Sequence, residues 1–117
     1  MAKYERQLRG NFDTLLNHLH QEITRGSISA SYEDGSDFAM GPTRIAVRVY
    51  ERYSWFGGNR VSLNLTVMGE GNLLYVSAIA SGGSQAIFFK INTFGEEAFL
   101  DKCIGSVERY IKQAGSY

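Results

Sequence analysis

From Arg60 to Gly69 the chain reads R-V-S-L-N-L-T-V-M-G, in which Val61, Leu63, Leu65 and Val67 alternate strictly with Ser62, Asn64, Thr66 and Met68. Successive side chains of a strand point to opposite faces, so this spacing puts the aliphatic set on one side and the mostly polar set on the other. Such a strand is half-buried and antiparallel, and it requires paired neighbours and a cover for its aliphatic face. Similar alternation before and after it makes it a central member of a sheet. Two helical patterns near the chain ends are the natural cover.

The first of these is well marked. Asn11 is a good N-cap, Asp13 suits the positive first turn, and Phe12, Leu15, Leu16, Leu19 and Ile23 recur at helical spacing until Gly26. At 3.6 residues per turn they form a stripe about 100° wide, the width of a helix that lays one face on a sheet. Upstream, Tyr4–Arg9 reads as a short first strand, with an extended arm or the beginning of the helix as alternatives. Downstream, Ile28, Ala30 and Tyr32 alternate in a strand, and Glu33-Asp34-Gly35-Ser36-Asp37 reads as a hairpin turn on its Asp-Gly step. Phe38 and Met40 then pair back until Gly41-Pro42, where the one proline sits at a strand start that needs no N–H.

Thr43–Tyr53 is a long strand with Ile45, Val47 and Val49 on one face and Arg44, Arg48, Tyr50 and Arg52 on the other. Residues 54–59 turn the chain into Arg60–Gly69, and Glu70-Gly71-Asn72 turns it again into a strand over Leu73–Ala80. Ser81-Gly82-Gly83-Ser84 leads to a last strand over Gln85–Asn92. Thr93-Phe94-Gly95-Glu96 has the form of a capping box and predicts the start of the second helix, whose apolar side carries Phe99, Leu100, Cys103, Ile104, Val107, Tyr110 and Ile111. The pattern predicts an α+β fold: an antiparallel sheet of about five to six strands with an N-terminal and a C-terminal helix packed on one face.

At 117 residues, with no repeat or linker, residues 1–117 are expected to form a single domain. Lysine plus arginine and aspartate plus glutamate number 12 each, which removes the overall basicity of a generic nucleic-acid binder. Cys103 is the only cysteine, excluding an internal disulfide and a cysteine-rich zinc site. No signal-type apolar segment and no run long enough to span a bilayer occurs, so a cytoplasmic protein without a membrane span is expected.

Motifs that carry chemistry are scarce. His18 and His20 stand about 200° apart on a helix and cannot grip one metal as an i,i+4 pair does; His18 with Glu22 lacks a third ligand. Cys103 lies within an apolar stripe, where a small buried hydrophobe is the default. The Ser81–Gln85 glycine cluster has neither the lysine nor the strand-to-helix context of a phosphate loop. No metal, cofactor or catalytic residue is therefore assigned. Arg44, Arg48 and Arg52, with Tyr50 among them and Asn64 on the next strand, form the strongest one-sided charge pattern: an anion platform or a solvated sheet face. One exposed tyrosine is too few aromatics for single-stranded nucleic acid. Trp55 and Phe56, in a glycine-flanked turn, suit contact with a ligand or second subunit, or a plug at the open end of the core.

The segments K-Y-E-R-Q-L-R-G-N-F-D, E-D-G-S-D-F, R-V-Y-E-R-Y, S-L-N-L-T-V and S-G-G-S-Q-A-I-F-F-K-I-N-T-F-G-E-E-A-F resemble a family of small bacterial proteins, mainly from Firmicutes, classed as a domain of unknown function. That resemblance covers nearly the whole chain and brings no activity or catalytic residues. The element order is also similar to helix-grip, lipid-transfer-like folds, which implies an apolar cavity between the C-terminal helix and the sheet, although this chain is shorter. Three functions are weighed as expectations, of which an enzyme of unknown type ranks well behind because no convergent polar cleft is legible; the other two rank nearly level. One is a non-enzymatic module that binds a small apolar or amphipathic ligand, with Phe99, Cys103 and Val107 lining the pocket and Trp55 and Phe56 at its mouth. The other is a homo-oligomeric interaction protein using the outer sheet face or the aromatic turn.

Overall fold

The computed structural model describes residues 2–25, 30–53, 60–82 and 89–114. They form β1 (Ala2–Arg9), α1 (Phe12–Arg25), β2 (Ser31–Met40), β3 (Thr43–Tyr53), β4 (Arg60–Glu70), β5 (Leu73–Gly82) and α2 (Phe89–Ala114). The five strands make one antiparallel sheet in the order β1-β5-β4-β3-β2. The alternating strand is thus the middle one. Val61, Leu63, Leu65 and Val67 are buried under the helices together with Leu74, Val76, Ala78 and Ala80 of β5. The segment Tyr4–Arg9 does form a strand, as part of β1, whose Ala2, Tyr4, Arg6 and Leu8 pair with Ala80, Ala78, Val76 and Leu74 on that same inner face.

Helix α1 begins as its cap dictates: Asn11 Oδ1 accepts the Thr14 amide at 3.0 Å. Its stripe, Phe12, Leu15, Leu19 and Ile23, is buried. Helix α2 contributes Phe99, Leu100, Cys103, Val107, Tyr110 and Ile111 to the same core. A polar seam locks the two helices together. Ser106 Oγ donates to Glu22 Oε1 at 2.6 Å, Arg109 pairs with Glu22, and His18 Nε2 lies 2.9 Å from the Ser106 carbonyl oxygen. The Tyr110 hydroxyl accepts the Asn11 amide at 3.1 Å and lies 2.9 Å from Thr14 Oγ1. Gly10 and Gly69 let this layer close down, since a Cβ on Gly10 would stand 2.7 Å from Tyr110 Oη and one on Gly69 2.8 Å from the Phe12 ring. No helix of the described residues is long and apolar enough to cross a membrane.

Two expected elements are replaced. The Asp34-Gly35 step is not a turn: β2 runs straight through it, with a bulge between Tyr32 and Asp34. The hairpin turns instead at Gly41-Pro42, where Gly41 has φ +58°, the positive angle a two-residue turn needs at its first central position. Gly35 serves close approach, because a Cβ there would stand 2.5 Å from Tyr32 Oη and 2.9 Å from the Val47 carbonyl oxygen. The expected strand over Gln85–Asn92 is also corrected: α2 already begins at Phe89, so positions 93 and 96 lie inside the helix and not at its start. A short apolar run fits either period, and continuity with the long pattern behind it favours the helix. Residues 85–88 lie outside the described residues.

Candidate functional site

The register of β3 decides where the arginine row points. Arg44, Ala46, Arg48, Tyr50 and Arg52 pair with Gly69, Val67, Leu65, Leu63 and Val61 of β4, so they occupy the face that the helices cover. This reverses the expected neighbourhood. Asn64 and Thr66 lie beside Val49 and Val47 on the outer face, away from the arginines. The helices pack mainly on β1, β4 and β5, and β3 runs along the margin of that layer. There a long side chain buries its stem and keeps its head near water. Ala46 and Tyr50 take the fully enclosed positions.

Each arginine is held by a neighbour. Arg44 grips Asp13, in the first turn of α1, with two bonds of 2.9 Å and lies 4.3 Å from the centre of the Phe12 ring. That guanidinium holds the Asp13 carboxyl below its ordinary range. Arg48 donates to the Val47 carbonyl oxygen at 2.9 Å and to both Asp37 oxygens at 3.0 and 3.2 Å. Arg52 lies 4.8 Å from the centre of the Phe99 ring, and burial lowers its pKa. Phe99, Cys103 and Val107 are wholly inaccessible members of the core, where burial pushes the Cys103 thiol up to about 12. Trp55 and Phe56 lie outside the described residues.

The structure also assembles a cluster that the sequence did not reveal. Tyr50 Oη lies 2.9 Å from His20 Nδ1, and Tyr32 packs on both rings at centroid distances of 5.4 Å to His20 and 5.8 Å to Tyr50. Asp13, Leu16, Asn17 and His20 of α1, with Tyr32 and Arg48, line an open cleft of about 430 Å³. One signal was present in the chain: those four helical residues stand at i, i+3, i+4 and i+7 and so share a face beside the apolar stripe. Their partners from β2 and β3 carry no local mark. His18, by contrast, is engaged in the helix seam with Glu22, whose carboxyl the Arg109 bond holds below its ordinary range. No group of three metal-ligating side chains forms among the described residues.

The outer face is the larger feature. Among the described residues neither helix packs on it, and the register aligns Phe38, Ile45, Met68 and Tyr75 in one row across β2, β3, β4 and β5, ending at Gln7 of β1. Beside it run Ser36, Val47, Thr66, Ser77 and Glu5, then Asp34, Val49, Asn64, Ile79 and Lys3. Phe38, Met40, Met68 and Leu73 are 49%, 70%, 41% and 41% exposed. Large apolar side chains scattered singly need no explanation, but a contiguous row on an uncovered sheet face does.

Comparison with curated proteins found no match, and neither did comparison with solved structures. One family model matches over residues 1–111, which takes in all five strands, α1 and most of α2. The chain therefore belongs to DUF6054, a family of unknown function.

Proposed function

We propose that this protein is an interaction module that pairs with a second copy of itself through the outer face of its sheet. The observation that carries this reading is the apolar row Phe38–Ile45–Met68–Tyr75, flanked by Met40, Leu73, Val47, Val49 and Ile79 on a face that neither helix covers among the described residues. Five strands about 4.8 Å apart and about 30 Å long present roughly 700 Å² per subunit, near the roughly 800 Å² that each partner contributes to a standard interface. A two-fold axis along the middle strand β4 sets Met68 on its own copy and Ile45 on Tyr75. It also sets Lys3 on Asp34, because these opposite charges end the same row. Such a pairing has one complementary charge contact at the rim, while Arg60 and Glu70 at the two ends of β4 would each meet their own copy in solvent-exposed positions. Aligned sheet packing at about −30° keeps those neighbours within reach. The alternative, an apolar ligand between α2 and the sheet, draws on Phe99, Cys103 and Val107, whose surfaces are already occupied by the core.

Sedimentation velocity across a concentration series tests the proposal. The expected result is a dimer that Met68→Glu converts to a monomer with unchanged circular dichroism, because the substitution buries two like charges at the axis. A wild-type protein that stays monomeric to hundreds of micromolar refutes it.

A further inference from the structure

The cleft between α1 and the β2–β3 hairpin is built differently from the rest of the surface. Its floor is aromatic: His20 and Tyr32 line it with ring centroids 5.4 Å apart, the buried Tyr50 packs behind both at 5.7 and 5.8 Å, and Leu16 adds an aliphatic edge. Its polar lining is Asp13, whose carboxylate is taken up by Arg44, with Asn17, His20 and Arg48. Tyr50 is fully buried and its hydroxyl reaches only His20 Nδ1, at 2.9 Å, among the described residues. A buried O–H needs an acceptor, so Tyr50 donates to Nδ1. The imidazole proton then sits on Nε2, which meets no protein partner among the described residues. The Asn17 amide, exposed on the next turn of the cleft wall, is likewise unengaged there.

The charges around this floor favour a negative guest. Asp13 and Asp37 are each neutralised by two bonds from Arg44 and Arg48. Arg25, at the end of α1, is near enough for its positive charge to act on His20, whose pKa is lowered by desolvation first and then by Arg48 and Arg25. A volume of about 430 Å³ falls in the range of small-molecule sites.

We propose that this cleft binds a small planar aromatic carboxylate, its ring against Tyr32 and Leu16 and its carboxylate on His20 Nε2–H and the Asn17 amide, within the field of Arg48 and Arg25. The site faces the helix side of the sheet, so it stands or falls independently of self-association through the outer face.

Sodium benzoate is the probe, titrated into the full-length protein and followed by amide and side-chain NMR. The expected result is saturable shifts confined to Asn17, His20, Tyr32 and Arg48, with a dissociation constant on the order of 1 mM for so few atoms. Benzyl alcohol keeps the ring without the charge, and inorganic phosphate keeps charge without the ring; each is expected to bind at least about tenfold more weakly. His20→Phe, which keeps the aromatic floor and removes the donor, should lose about tenfold. Asn17→Ala, at an exposed position with no packing role, should lose about threefold while the spectrum otherwise stays native. The proposal is overturned if benzoate shifts nothing at about 20 mM, well above a fragment's usual range. It is equally overturned if the shifts fall elsewhere, if benzyl alcohol or phosphate binds as well, or if Asn17→Ala leaves the affinity unchanged.

Discussion

The attachment of α2 to the start of α1 turns on one hydroxyl, and removing it gives a sharp test of the layer geometry. Tyr110 Oη accepts the Asn11 amide at 3.1 Å, lies 2.9 Å from Thr14 Oγ1 and 3.4 Å from the Asn11 carbonyl oxygen. Tyr110→Phe keeps the ring that fills the space above Gly10 and deletes only these bonds. The Asn11 N–H is then left without its partner in a part-buried site, which costs about 1 to 2 kcal/mol. A chain of 117 residues unfolds with an entropy of about 0.25 kcal/mol/K, so a loss of 1.5 kcal/mol lowers Tm by about 6 °C. Calorimetry gives the shift, and the Thr14→Ala double-mutant cycle isolates the Thr14–Tyr110 coupling, expected at about 0.5 to 1 kcal/mol. A Tyr110→Phe protein within about 1 °C of wild type, corresponding to under 0.3 kcal/mol, means that water replaces the hydroxyl freely. In that case the seam is held by packing alone.

Two further outcomes follow from the buried groups. His20 titrates below its ordinary value because desolvation and then Arg48 and Arg25 oppose its charge, while Tyr50 from β3 and Tyr32 from β2 face it. Its folded-state pKa is depressed, so the unfolded chain takes up the proton first, and this contribution to stability is present above the ordinary histidine range and lost as pH falls through the folded pKa. Urea unfolding between pH 8 and 5 should show that decline, and His20→Gln should flatten it; an equal slope in both proteins shows that the environment of His20 does not oppose its charge. Cys103 should resist thiol reagents in the native state, with labelling at pH 8 limited by unfolding, because burial raises its pKa to about 12. Rapid labelling without denaturant contradicts a closed core at α2.

Much of the architecture was legible because its causes are local. The Asn11 cap and the Phe12–Ile23 stripe determine α1, and strict alternation makes β4 half-buried, whatever the surroundings. The Gly71-Asn72 turn needs only a glycine at φ +60°. Asp34-Gly35 misled because the same glycine that suits a turn also suits a crowded strand, where Tyr32 Oη and the Val47 carbonyl oxygen take the space of a side chain. The run before Thr93 misled because short apolar stretches fit both periods. Of the candidate site, Arg48 was marked by its charge, whereas His20 and Tyr32 acquire a role only through neighbours that approach from other elements.

The alternation of β3 determined that Arg44, Arg48, Tyr50 and Arg52 share one face and Ile45, Val47 and Val49 the other. Which face meets the helices was decided only by tertiary structure. A strand's period of two is a property of its own backbone, so it sorts side chains into sets without saying which set is inward. The choice came from pairing Arg48 with Leu65 and Tyr50 with Leu63, and from a helical layer that ends over β3. That pairing puts the arginine stems at its margin and leaves Ile45, Val47 and Val49 facing outward beside Met68, Thr66 and Asn64, on the surface where the proposed self-association takes place.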